Sequence, residues 1–370
     1  MPDLSARITG LTRDLVMIDS RSAVSNLPVA DRLEDVLRSF EIERLNYTDA
    51  AGVAKRVLVA HRGGPGGIAF SGHMDTVPDT GWQEDPWSAH IDADGVLHGL
   101  GSTDMKGPVA AAVLAACALP AHVPVTLLIT TDEETTKQGA RLIVQQSALA
   151  RSAKLKGIFV VEPTTLIPVR GHRSHIAFTC VNTGVQAHSS TGKGRNANWD
   201  LIPFLVEMKA LFQRLRDDPS LQDAAYDPPF SDFNLIIDNH GTAVNVTVPV
   251  ATARIKFRYS ANVDPAPILR GVAEAAQRTG VAVTEVREGF PPELPADHPL
   301  VRLCAQVAGA APRTAPYGTD ASELQALAPC VVFGPGDIAV AHTPHEAVRL
   351  ADLAAAVPLF ARLAERAGDI

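Results

Sequence analysis

Three runs of this chain are apolar at nearly every position and then stop on residues that do not stay buried alone. They are IAFSGHMD (68–75), VPVTLLITTDEE (123–134) and GIFVVEP (157–163). Short runs without in–out alternation, set between Gly/Pro turns and helix-period segments, read as strands covered on both faces. A strand at 55–61 precedes them, and VLHGLGSTD (96–104) reads as a strand leading into a Gly-bearing turn. Helical periodicity runs through 4–18, 29–40, 107–119 and 137–147. Strand and helix alternating in this order predict an α/β fold with a mostly parallel sheet and helices on both faces. In such sheets ligands bind outside the C-terminal strand ends, and the polar clusters fall at those ends.

The pattern changes after about Arg170. A strand at 174–183, a helix at 196–216, strands at 231–237 and 244–259, a helix at 265–278 and a strand at 281–287 follow in turn. That order is β-α-β-β-α-β, the ferredoxin-like split arrangement. After Pro299 the earlier style resumes, with helices at 299–309, 320–327 and 347–366 and a short strand at 329–333. A length of 370 residues also exceeds what one core usually organises. The reading is a catalytic domain over 1–170 plus 288–370, interrupted by an α+β domain over 171–287.

The strand ends carry the chemistry. His73 and Asp75 in GHMDTVP are two apart, so on a strand they share a face. His73 is a candidate metal ligand, and Asp75 a carboxylate able to orient its ring. The alternative is a polar strand end with an Asp turn. Asp104 in GLGSTDMKG stands at a predicted helix start, as a plain N-cap or as a carboxylate with two oxygens for two cations. Glu133 and Glu134 are adjacent and would face opposite sides of a strand unless the backbone turns there. One could bind metal while the other takes a proton, or both could belong to a solvated helix start. Glu162 ends VVEP, and His342 in GPGDIAVAHTPHE is the second candidate imidazole. His345 beside it reads as an ordinary loop histidine. Histidine and carboxylate donors together suit zinc, with cobalt or manganese as substitutes.

Composition removes other classes. Apolar residues make up 46%, charged residues 20%, and the net charge is −8. With no Lys/Arg run, nothing here is built for nucleic acid or an anionic membrane surface. The longest apolar run, Val109 to Leu119, is too short to span a bilayer. Acids come early (Asp3, Asp14), an apolar signal segment is lacking, and the 4 cysteines form no CxxC pair, so a cytoplasmic protein with free thiols is expected. GGPGG at 63–67 and GPG at 334–336 match neither GxGxxG nor GxxxxGK[ST], which argues against a nucleotide-binding protein.

Taken together and in this order, GHMDTVP, GLGSTDMKG, TTDEE, VEP and AHTPHE resemble the blocks of the M20 metallopeptidase family. That family includes acetylornithine deacetylases, succinyl-diaminopimelate desuccinylases, aminoacylases and carboxypeptidases. The resemblance implies two Zn2+ per chain, one on His73, Asp104 and Glu162 and the other on Asp104, Glu134 and His342. It implies that Asp75 orients His73, that Glu133 is the general base, and that the Asp104–Met105 peptide is cis. It implies a lid and dimerisation role for the inserted domain, and a homodimer through it. His188 in QAHSS resembles the histidine that stabilises the oxyanion. Asn245 in AVNVTVP, Arg258 in KFRYS, and Gly318 and Thr319 in YGTD resemble substrate contacts. The implied substrate is a small N-acyl amino acid or a dipeptide. GPGDIAVAHTPHE and GHRSHI look most like the acetylornithine deacetylase branch, with desuccinylases and di- or carboxypeptidases as the alternatives.

Overall fold

In the computed structural model, which describes residues 3–370, every side chain of Ile68–His73 and of Val125–Thr130 is buried. Both strands lie inside a sheet and need cover on both faces. The strands, in chain order, are β1 Glu41–Thr48, β2 Ala54–Arg62, β3 Ile68–His73, β4 His90–Ile91, β5 Val96–His98, β6 Val125–Thr130, β7 Gly157–Val160, β8 Val169–His172, β9 Ser174–Thr183, β10 Asp232–Asp238, β11 Val250–Tyr259, β12 Ala282–Arg287, β13 Arg313–Ala315, β14 Cys330–Val332 and β15 Ala347–Arg349. The α-helices are α1 Leu4–Val16, α2 Leu27–Val36, α3 Lys106–Ala118, α4 Gln138–Gln146, α5 Ala148–Ser152, α6 Ala197–Asp217, α7 Ala266–Thr279, α8 Pro299–Ala308, α9 Ala321–Leu324 and α10 Leu350–Glu365.

The chain folds into two compact units. The first runs to Gly171 and takes up again over Pro292–Arg313 and Thr319–Ile370; the second is His172–Pro291 with Thr314–Gly318. The main sheet has eight strands in the order β1-β2-β6-β3-β7-β14-β8-β13. It is mixed. β6, β3, β7 and β14 run parallel, whereas β1–β2, β2–β6 and β14–β8 pair antiparallel. The expected mostly parallel sheet describes this centre only. β1 and β2 are joined by a tight turn at 49–53, which permits only an antiparallel pair. The parallel centre is what matters for the site. His73 pairs with Thr130, and Ser71 with Val160, so β3, β6 and β7 end at one edge.

Helix α3 is apolar all round and buried from Lys106 to Ala116, as a helix inside a core must be. It packs against α1, α10 and β3. Phe70 and Phe159 from the central strands, Phe333 just after β14 and Phe360 of α10 pack together with tilted or edge-on rings.

The second unit is built on an antiparallel sheet in the order β10-β11-β9-β12. α6 packs on β9, β11 and α7, over a core that includes Phe204, Ile255, Phe257 and Ile268. The predicted strand at 244–259 is shorter than expected: β11 begins at Val250, after the turn residues 241–247 and Pro249. The predicted helix at 320–327 contracts to Ala321–Leu324.

Candidate metal centre

The edge where the parallel strands end gathers the acids and imidazoles of several segments. His73 is the last residue of β3. Its Nε2 lies 3.1 Å from Asp104 Oδ1 and 3.8 Å from Glu162 Oε1, just past β7. His342, in the loop after β14, sits 2.9 Å from Glu134 Oε1 and 3.2 Å from Asp104 Oδ2 through its own Nε2. Each oxygen of Asp104 therefore faces a different imidazole. The donor atoms of His73, Asp104 and Glu162 all lie within 4.8 Å of one another, and so do those of Asp104, Glu134 and His342. Two histidines and three carboxylates in two triads sharing one carboxylate fit a pair of divalent cations by donor type and spacing.

Local backbone explains how each group arrives. Asp104 is not an N-cap: α3 begins at Lys106, and no side chain caps it. Asp104 ends a turn through Gly101, and its peptide bond to Met105 is cis, as the motif implied. Glu133 and Glu134 do not start a helix either, since α4 begins at Gln138. The chain between β6 and α4 is a turn with left-handed residues at both ends, Asp132 (φ 60°) and Lys137 (φ 54°). That turn removes the strand alternation and lets the adjacent acids serve one site.

Asp75 meets His73 through two of its oxygens. The nearest acceptor to His73 Nδ1 is Asp75's own carbonyl, at 2.9 Å, while its carboxylate is 3.6 Å away. That carboxylate accepts bonds from the Glu133 and Glu134 backbone N–H groups and from Ser22 Oγ. It ties the acidic turn to the end of β3.

Electrostatics follow from crowding acids out of water. Burial, with Asp104 next, pushes Glu134 up to about 8. Burial and Asp104 push Glu162 well above the carboxylate range, and burial also raises Glu133. Burial would raise Asp104 too, but the imidazoles of His342 and His73 outweigh it and hold it low. Asp104 and Glu134 in turn raise His342 to about 11. Carboxylates that resist ionisation because they are buried, and next because they face each other, are relieved by a cation between them.

Several residues that are not among the candidate ligands support this arrangement. The Glu346 carboxylate accepts the backbone N–H groups of Gly101, Thr103 and Asp104 at 2.8–3.0 Å, fixing the turn that carries Asp104. Buried Lys106 donates to the Ile18 carbonyl at 2.7 Å, and burial lowers its pKa to about 7. Asp320 accepts from Thr130 Oγ1. Lys137 stands 3.5 Å from Glu133. Glu346, Lys106 and Asp320 lie inside AHTPHE, GLGSTDMKG and YGTD yet carry no assigned role there, and Lys137 lies outside every block; an acid beside two loop histidines reads as solvent-facing until the fold buries it. A cavity of about 850 Å3 opens beside Glu134, walled in part by Ser22, Val24, Tyr47, Val77 and Pro78.

The other expected site residues fall on the second unit or at its border. His188 is exposed, and its Nδ1 accepts from the Ser190 backbone N–H. Asn245 lies beside it, its carbonyl accepting from the Ser189 N–H. Arg258 pairs with Asp232 at 2.7 Å. Gly318 belongs to the second unit and Thr319, fully buried, to the first.

An α/β fold whose strand ends present two triads of metal-ligand type defines a metallohydrolase class. The particular family follows from comparison with known proteins. Residues 69–366 match the model of peptidase family M20/M25/M40, and the chain belongs to that family. It is a metallohydrolase acting on amide bonds. The chain is 32% identical to an acetylornithine deacetylase of Myxococcus xanthus, over 98% of this chain and 97% of that one. It is 31% identical to an acetylornithine deacetylase of Proteus mirabilis, covering 94% and 90%. In fold it matches an M20 family metallo-carboxypeptidase from Sulfolobus solfataricus, with a TM-score of 0.76 and 16% identity over 100% of both chains. It also matches a dinuclear metal-binding peptidase of the same family from Bacillus subtilis, with a TM-score of 0.64 and 18% identity over 98% and 97%.

Proposed function

We propose that this chain is an N-acyl-amino-acid deacylase, with N-acetylornithine as its leading substrate, working at a two-zinc centre. His73, Asp104 and Glu162 hold one ion; Asp104, Glu134 and His342 hold the other. The observation that carries this reading is Asp104, whose two oxygens face His73 and His342 separately. The substrate rests on the relatives, which are named acetylornithine deacetylases along nearly the whole chain. The cavity beside Glu134 is of the size small-molecule sites have.

When bound, the cations supply Lewis-acid activation of water and of the acyl carbonyl. The protein's own groups do the rest. Glu133, raised by burial, accepts a proton from the attacking water and passes it to the leaving amine. Asp75 keeps Glu133 and Glu134 in register through their backbone N–H groups. His188 is the proposed donor to the oxyanion, and Asn245, Arg258, Gly318 and Thr319 the proposed contacts to the amino-acid part, on the strength of their motifs. The second unit acts as lid and as the surface of a homodimer. Cobalt or manganese substitute for zinc, and the working compartment is the cytoplasm, a reading supported by 4 cysteines that are all free.

The test is a hydrolysis screen of acetyl-, succinyl- and aminoacyl-amino acids with added zinc or cobalt, alongside metal counting by mass spectrometry. About two ions per chain and preference for acetylated substrates are expected. Glu133→Ala should lose turnover by roughly 100- to 10,000-fold while keeping its metal. Loss of metal without loss of activity would sink the ligand assignment.

A further inference from the structure

The turn between β6 and α4 does more than carry two acids. It ends on Lys137, whose side chain folds back into the protein instead of reaching for solvent: the residue is 4% exposed. A lysine in the left-handed region is uncommon, and here it is held by its own N–H bonding to the Asp132 carbonyl at 2.6 Å. The consequence is a buried ammonium four residues after Glu133, aimed at it. Lys137 Nζ lies 3.5 Å from Glu133 Oε1. It also donates to the Thr319 carbonyl at 2.8 Å and approaches Ser322 Oγ at 3.4 Å.

We propose that Lys137 is a positioning residue for the reaction, clamping the Glu133 carboxylate to the Thr319–Ser322 segment so that the base stays aimed at the metal edge. This rests on the reading of Glu133 as general base. A free Glu side chain samples several rotamers; an ion pair shielded from water restricts it. Thr319 and Ser322 give the ammonium fixed anchors, so the carboxylate is held against a rigid point. Asp320, between those anchors, is itself fixed by Thr130 at the end of β6. Base, clamp and anchor thus close a ring through β6, the acidic turn and α9. Lys137 touches no reacting atom; it acts through Glu133.

The test compares wild type, Lys137→Met and Lys137→Arg, each with zinc counted and with N-acetylornithine as probe. Lys137→Met should keep its metal content and lose kcat roughly 10- to 100-fold, as misplacing a catalytic group by about 1 Å does, with KM within about threefold. Lys137→Arg should recover most of the loss. Unchanged kcat, a KM effect alone, or loss of metal in Lys137→Met would each overturn the proposal. If Lys137→Met does not fold, Lys137→Gln, which keeps a donor for Thr319, takes its place under the same criteria. A crystal structure of the variant with zinc reads the clamp without activity. The Glu133 carboxylate should leave its wild-type position, and one that stays put overturns the proposal. If wild type cleaves none of the acyl-amino acids, the substrate reading fails while this crystallographic arm still decides Lys137.

Discussion

Glu346 accepts three backbone N–H groups, and all three belong to the turn that ends on Asp104. Burial, then the nearby Asp104, pushes its pKa up to about 7. The carboxylate tolerates that position because the N–H groups of a turn supply the compensation water would otherwise give. Glu346→Ala would leave those donors buried and unpaired, each at a cost of about 1–3 kcal/mol in isolation. Urea unfolding of the metal-free protein should show Glu346→Ala destabilised by about 3 kcal/mol, with Glu346→Gln recovering part of it. Equal midpoints for wild type and Glu346→Ala would remove Glu346 from this role. The contrast between Glu346 and His73 marks what can be read from residues alone. His73, Glu134 and Glu162 announce themselves, because a polar residue ending an apolar run needs a partner. Glu346 sits in AHTPHE among other loop residues, and only folding shows that its partners lie some 240 positions away.

At the scale of elements, the seam between the Asp104 turn and α3 is a tight joint of the site. A Cβ on Gly107 would stand 2.3 Å from the Ser102 carbonyl oxygen, which is backbone and does not swing aside. Gly107→Ala should therefore push the turn off α3, costing about 1–3 kcal/mol as overpacked cores do, and lower zinc occupancy along with it. Metal counting on the purified variant, with thermal unfolding in parallel, checks both; full zinc at unchanged stability would refute the clash. The central strands were legible as elements because each is an unbroken apolar run of strand length. Pairing direction was legible only for them. β1 escaped prediction, since EIERLNYT is an edge strand whose outward residues are charged, and its burial never exceeds intermediate. The unit after Gly171 was legible as a β-α-β-β-α-β order, whereas the start of β11 was misjudged because VNVTVP has strand-like composition but is spent on turns.

On the scale of the whole molecule, the second unit leaves an unusual surface uncovered. Val206 and Phe212 on α6 and Ile236 and Ile237 on β10 are all exposed. Phe212 and Ile237 are neighbours: with Leu205, Met208, Lys209, Phe233 and Leu235 they line one groove of about 300 Å3. β10 is also the edge of its sheet, so one side of its backbone has no ladder partner among the described residues. An apolar strip beside an open edge is a site for a partner or for aggregation. A second copy of the chain suits it best, because an edge strand related by a two-fold axis pairs antiparallel with itself and brings α6 against α6. The proposed homodimer would cover this apolar groove and the open edge of β10 together. Ile237→Lys places a further charge in that groove at an exposed position outside the buried core, so the subunit should fold normally and elute as a monomer. Light scattering after size exclusion checks this: wild type should weigh twice the chain mass and Ile237→Lys once. Wild type at the monomer mass across micromolar concentrations would leave the strip without this explanation.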